Sequence, residues 1–183
     1  MTTPTSARVR VWDRAVRVLH WSLVVSVAVS AASLIDALGA PGWHRPAGYV
    51  ALAIVLARVG WGFVGRGHAR FTQFVRAPGA TLNYLRLLLL HREPRTLGHN
   101  PLGAWMIVAL LLCVIAIAFT GWLYTTEMFW GSEAVEDLHR ALAWGLLALV
   151  ALHLGGVIFT SIRHRENLVR AMINGEKAAR NDA

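Results

Sequence analysis

Four long apolar runs decide what this chain can become. Residues 18–35 and 141–162 carry no formal charge, residues 47–64 are interrupted only by Arg58, and residues 102–128 only by Glu127. Such runs reach or approach the roughly 18 to 20 residues a helix needs to cross a bilayer. Hydrocarbon offers no partner to a backbone N–H or C=O, so helices, which pair these groups internally, are the economical way across. The expected fold class is therefore all-α: an integral membrane four-helix bundle in one domain over 1–183. Its spans are expected at about 15–37, 46–65, 101–125 and 135–162.

An even number of spans puts both termini on one side, and Lys and Arg choose the side. The N-terminal arm carries Arg8, Arg10, Arg14 and Arg17; the 66–100 connection carries Arg66, Arg70, Arg76, Arg86, Arg92 and Arg95; the tail carries Arg163, Arg165, Arg170, Lys177 and Arg180. The opposite side holds Arg45 and Arg140 beside Asp36, Glu127, Glu133, Glu136 and Asp137. Both termini are thus expected in the cytoplasm. The same distribution accounts for the net charge of +8, so no nucleic-acid partner is expected. Tryptophans fit this layout, with Trp12, Trp21, Trp61 and Trp105 near the inner interface and Trp43, Trp122, Trp130 and Trp144 near the outer one.

Three segments need separate readings. The basic arm and Ala37–Ala40 resemble a signal peptide with its cleavage site, but the apolar run is long and opens with His20 and Trp21, so a retained span is expected. TLNYLRLLLL at 81–90 is too short to span and reads as an amphipathic helix on the inner surface or against the bundle. The tail beyond Asn174 is expected to be solvated and frayed. The single cysteine, Cys113, lies inside a span and makes no internal disulfide.

Histidines carry the chemistry. His139 and His153 are fourteen residues apart on one expected helix. At about 100° per residue they fall within roughly 40° of each other, about 21 Å apart along the axis. His20 opens the first span and His44 the second. Neutral imidazole ligates iron and can be buried without a charge penalty, and ionisable residues deep in a span are usually functional. Chain direction pairs His20 with His153 on the inner side and His44 with His139 on the outer side, as axial ligands of two haem irons about 20 Å apart. The inner pair requires helix one to reach back toward Asp13 and the bilayer portion of span four to begin near Val135.

Other polar residues near these levels have two readings each. Arg45, Arg58 and Arg140 are candidate contacts to haem propionates, or interfacial cations that snorkel. His99 and Asn100 are candidate contacts to a quinone or an inner propionate, or a helix entry with Asn100 as cap before Pro101. Gly48, Gly60, Gly62, Gly121, Gly145, Gly155 and Gly156 leave room for a planar cofactor or for close helix contact. His68, His91 and His164 lie in basic segments and read as solvated.

The chain resembles the bacterial cytochrome b-561 group, which includes the b-type cytochrome subunit of nickel–iron hydrogenases. The matching stretches are VWDRAVRVLHW at 11–21, HRPAGYVALAIVLARVGWGFVG at 44–65, RFTQFVRAP at 70–78, GHNPLGAWM at 98–106, TGW at 120–122, LHRALAW at 138–144 and LHLGGVIFTSIRHRENLVRAMINGEK at 152–177. The resemblance implies four core helices in a bacterial inner membrane and two haem b groups on His20, His44, His139 and His153. It also implies electron exchange between the quinone pool and a redox partner such as a periplasmic c-type cytochrome, dehydrogenase or hydrogenase. An acidic outer face would favour a basic soluble cytochrome. A homodimer is a candidate assembly. Two alternatives stand beside this reading: a superoxide:quinone oxidoreductase, which relatives in this group suggest, and a haem-free structural or transport bundle. A c-type haem is not expected, because the sequence has no Cys-x-x-Cys-His.

Overall fold

The computed structural model describes residues 8–34 and 41–179. The elements, in chain order, are β1 (Arg8–Arg10), α1 (Arg14–Leu34), α2 (His44–Val64), α3 (Phe71–Phe74), α4 (Pro78–Leu89), α5 (Pro101–Leu123), α6 (Glu133–Arg163), α7 (Leu168–Asn174) and β2 (Glu176–Ala178). Four of them, α1, α2, α5 and α6, are long and apolar enough to cross a membrane. The fold class is the expected one. The Ala37–Ala40 segment and the expected end of the first span at 37 lie outside the described residues.

The span boundaries follow from local chemistry. Helix α1 begins at Arg14 because the Asp13 carboxylate caps it: Oδ1 accepts from the Val16 N–H at 2.7 Å. This is the backward extension that the His20 level requires. Asn100 caps α5, its Oδ1 accepting from the Gly103 N–H at 2.7 Å, and Pro101 takes the first helical position, where a missing N–H costs nothing. Helix α6 has 31 residues, about 46 Å at 1.5 Å each, against roughly 30 Å of hydrocarbon. Its excess first turn holds Glu133 and Glu136, whose charges suit a helix N-terminus.

Helix α4 starts three residues before the expected segment, again with a proline at the first position. Its Tyr84 is buried, while Leu82, Leu85 and Leu89 are exposed along one face. An apolar stripe on a short helix suits a membrane surface. Both α4 and α6 end in the same way. His91 (φ 58°) and Arg165 (φ 49°) are left-handed. Arg92 N–H reaches back to Leu87 O and His91 N–H to Leu88 O, while Glu166 N–H reaches Ser161 O and Arg165 N–H reaches Ile162 O. These are Schellman closures with a side chain where glycine is usual.

The chain falls into two compact units. Among the described residues, one gathers 8–17, 61–105 and 153–179, and the other gathers 18–34, 41–60 and 106–152.

In the first unit the expectation of a frayed tail is wrong. Beyond Asn174 the chain forms β2, antiparallel to β1, with Arg8 opposite Ala178, Val9 opposite Lys177 and Arg10 opposite Glu176. Gly175 (φ 86°) makes the turn, and its carbonyl accepts from the Val11 and Trp12 N–H groups at 2.8 and 3.1 Å. The Arg17 guanidinium donates to the Ile173 carbonyl. Trp12, set at a lipid interface by the sequence pattern, is instead buried with Val11 and Ala171. The strands are stabilised by burial and by charge pairing: Glu166 accepts from Arg95 at 3.0 Å and lies 3.4 Å from Lys177.

Candidate haem-binding site

The second unit contains the clearest convergence of chemistry. The His44 ring from the start of α2 and the His139 ring from the second turn of α6 face each other with centroids 6.1 Å apart and planes at 79°. Each ring is held at Nδ1. His44 Nδ1 donates to the Ser30 carbonyl of α1 at 3.0 Å, and Ser30 Oγ lies 3.1 Å from the same nitrogen and 3.3 Å from the His44 carbonyl. A carbonyl only accepts, so the proton belongs on Nδ1 and the lone pair on Nε2. His139 Nδ1 lies 3.0 Å from Thr120 Oγ1 of α5. That hydroxyl is within 3.1 and 3.0 Å of the Ala116 and Ile117 carbonyls. Its own proton goes to them, so it accepts from Nδ1–H and again leaves Nε2 free to ligate.

The spacing suits one metal ion. Two imidazole–metal bonds of about 2 Å, plus about 1.1 Å from each nitrogen to its ring centre, put the centroids about 6.2 Å apart. Among the described residues no group of three or more His, Cys, Asp or Glu could hold a metal. A haem needs only two protein donors, because the porphyrin supplies the other four nitrogens. Backbone shape agrees with this. A Cβ on Gly121 would sit 3.1 Å from His139 Cε1, so the glycine seats the ring. Beside Gly48, Gly60, Gly145, Gly155 and Gly156 a Cβ would meet nothing within 4 Å among the described residues. Gly62 is tighter, since a Cβ there would run into the Phe71 ring.

Comparison with known proteins gives the family. The sequence model for prokaryotic cytochrome b561 matches residues 11–175. The chain belongs to the prokaryotic cytochrome b561 family. Similar proteins include probable Ni/Fe-hydrogenase B-type cytochrome subunits. That of Bradyrhizobium diazoefficiens is 27% identical, over 75% of this chain and 66% of that protein. That of Rhizobium leguminosarum bv. viciae is 26% identical, over 73% and 66%. That of Azotobacter vinelandii is 25% identical, over 95% and 90%. The chain thus spans slightly under two thirds of the length of the first two. No solved structure matches. A b-type cytochrome carries haem b, so the haem-free reading is set aside, and this b561 chain is a multi-pass bacterial membrane protein.

The remaining candidates of this b561 protein are placed as follows. His20, half-buried in α1, meets Trp21 edge-on at 5.1 Å and belongs to the second unit; His153, half-buried in α6, belongs to the first. Arg58 is buried in α2 at 7% exposure. Arg45 is exposed beside His44. Arg140 is exposed and pairs with Glu136 and Asp137 on its own helix. In the first unit the His99 ring is flanked by Trp12 at 4.4 Å and Phe74 at 4.9 Å. Asn100 acts as the helix cap and also hydrogen-bonds Tyr84. Burial is the main cause that holds the Tyr84 phenol above its ordinary value, with the Glu93 charge adding to it.

Two residues of the site, Ser30 and Thr120, escaped the sequence reading, while Gly121 was read there as room for a cofactor or for helix contact. Thr120 and Gly121 stand together in an otherwise apolar run, and Ser30 precedes His44 by fourteen residues. A hydroxyl deep in a span needs a partner, which was the available signal.

Proposed function

We propose that this chain passes electrons between the membrane quinone pool and a redox protein on the outer side of a bacterial inner membrane, using two haem b groups in a single domain. The facing imidazoles of His44 and His139, each held at Nδ1, are the observation that carries this reading. Haem b, when bound, supplies reversible one-electron chemistry; the protein supplies ligation, burial and tuning.

His44 and His139 would hold the outer haem through Nε2. Ser30 and Thr120 fix the tautomers and orient the rings, and Gly121 keeps the His139 ring in place. His20 and His153 would hold the inner haem, a pairing supported by the chain direction read from the sequence and by the family resemblance. Arg45 and Arg140 would neutralise outer propionates and Arg58 an inner one. His99, between Trp12 and Phe74, and Asn100 would contact the quinone headgroup. The positive-inside distribution supports cytoplasmic termini. Glu127, Glu133, Glu136 and Asp137 then give the outer side an acidic character suited to a basic c-type cytochrome.

A pyridine haemochrome assay on the purified chain tests this. Two haems per chain are expected, falling to about one in both His139→Ala and His20→Ala, with redox titration showing that different haems survive. Full haem content in His139→Ala would sink the proposal.

A further inference from the structure

The first unit holds a buried carboxylate that the haem site does not use. Glu93 lies between α4 and α5, and its side chain is only 1% exposed. One oxygen, Oε1, accepts from Arg163 Nε at 2.8 Å. The other, Oε2, is buried and has no hydrogen-bond partner among the described residues. A carboxylate oxygen buried without a hydrogen bond is costly, so it points to a bound water or to a use. Arg163, which covers it, is 37% exposed, so the carboxylate lies one side chain below the water.

Tyr84 on α4, at 6% exposure, is a second buried titratable group of the same unit. It lies near enough to Glu93 for the carboxylate charge to act on the phenol, and it hydrogen-bonds Asn100. That contact favours the ionised phenol, as an amide N–H donated to the phenol oxygen does. The carboxamide is therefore held at both ends, its Oδ1 by the Gly103 N–H and its N–H by Tyr84. The phenolic proton is left to pass elsewhere. Arg163, at the end of α6, and His164 just beyond it act on the Glu93 carboxylate as charges. Asn100 adjoins His99, whose ring lies between Trp12 and Phe74.

We propose that Tyr84 and Glu93 form the proton path of the quinone site, joining the headgroup to the water outside Arg163. The inference rests on the reading that His99 and Asn100 contact the quinone. A quinol that gives up electrons must also release protons, and haem carries electrons only. With ferric haem as the electron acceptor, a quinol O–H bond breaks and its proton joins the Tyr84 oxygen. The phenol passes its own proton to Glu93 Oε2, the oxygen with no other hydrogen bond, and the carboxyl releases it to water. Reduction of a quinone runs the same bonds in reverse. Asn100 is a positioning residue in this path, because its fixed carboxamide holds the phenol.

Stopped-flow reduction of the full haem-loaded chain by decylubiquinol tests the path. Glu93→Gln and Tyr84→Phe are each expected to slow it by about tenfold or more, since positioned proton transfer contributes roughly 10²–10⁴-fold. Reduction by dithionite, which releases no quinol proton, is expected to keep its wild-type rate in both. Sodium formate, a small mobile proton carrier, is expected to restore most of the Glu93→Gln rate, which it could not do for a folding defect. Ultraviolet titration of tyrosinate gives a readout independent of haem and quinone. One phenol should ionise at lower pH in Glu93→Gln than in wild type, because the carboxylate charge is gone, and that phenol should be missing in Tyr84→Phe. Wild-type rates in both variants, or a Glu93→Gln loss that formate does not restore, would overturn the path and leave the quinone reading intact. Failure of the quinol to reduce wild-type haem would overturn the quinone reading and the path with it.

Discussion

The two histidine rings and the strand pair are held in place by different means. In the unit with His44 and His139, the contacts that orient the rings are neutral: imidazole to carbonyl, imidazole to hydroxyl, hydroxyl to carbonyl. In the unit with β1 and β2, carboxylates and guanidiniums do the work, with Glu166 between Arg95 and Lys177 and Glu93 beneath Arg163. A charge in hydrocarbon is costly, whereas a neutral hydrogen bond there is stable and directional. The difference teaches that ligand geometry and chain-end architecture are separable. Mutations should damage one without the other.

The largest separation is expected from two glycines. Gly121→Val pushes a side chain into the space of the His139 ring and is expected to remove about half the bound haem while leaving the fold intact. Gly175→Val does the reverse. At φ 86°, with a Cβ only 2.7 Å from the Trp12 carbonyl, it is expected to cost about 2 kcal/mol or more and to lower Tm by several degrees. Haem per folded chain should stay at wild-type level in the cold. Haem quantification and a thermal melt on each variant check the pair; parallel losses in both would erase the distinction between the units.

Thr120→Val comes next. It keeps shape and removes the acceptor for His139 Nδ1–H. Orienting partners of metal-bound histidines are typically worth 10–100-fold in affinity, so haem loss to apomyoglobin should accelerate by about tenfold. An unchanged rate would mean that Thr120 only pairs with its own helix.

How much of this was legible from sequence depended on range. The four spans were, because each is a continuous run of residues that lipid tolerates. The two caps were as well: Asn100 was read as a helix entry, and Asp13 marked the start that the His20 level required. The pairing of β1 with β2 was not. Two three-residue strands more than 150 residues apart leave no local period to detect. Trp12 misled for the same reason. Next to a span, a tryptophan looks interfacial, and only the returning C-terminal segment buries it. The Nδ1 partners of the histidines fell between these cases. Thr120 and Ser30 were visible as hydroxyls in apolar runs, but their targets sit on neighbouring helices.

A smaller effect is expected at the Asn100 cap of α5. Asn100→Ala removes the acceptor for the Gly103 N–H and should cost about 1 kcal/mol, a Tm shift of roughly 2–4 °C. The cap is neutral, so this shift should be the same at pH 7 and at pH 4. A strong pH dependence would show that the loss arises elsewhere, for example through the Glu93 carboxylate, whose charge acts on Tyr84.

The smallest effect should be the one that titrates. Arg163 Nε donates to Glu93 Oε1 at 2.8 Å, and this bond is the main cause that holds the Glu93 carboxyl below its ordinary value of 4.5. A carboxyl whose folded pKa is depressed stabilises the folded state above its unfolded pKa. That contribution fades as pH falls through the lower folded value. Wild type should therefore melt above Glu93→Gln at pH 7, with the gap closing progressively below about pH 4.5. Comparison with Asn100→Ala, whose gap should stay constant, isolates the charged contribution from the neutral one. A Glu93→Gln gap that persisted unchanged to pH 3 would mean that the residue acts through packing and not through its charge, and the contrast between the units would weaken accordingly.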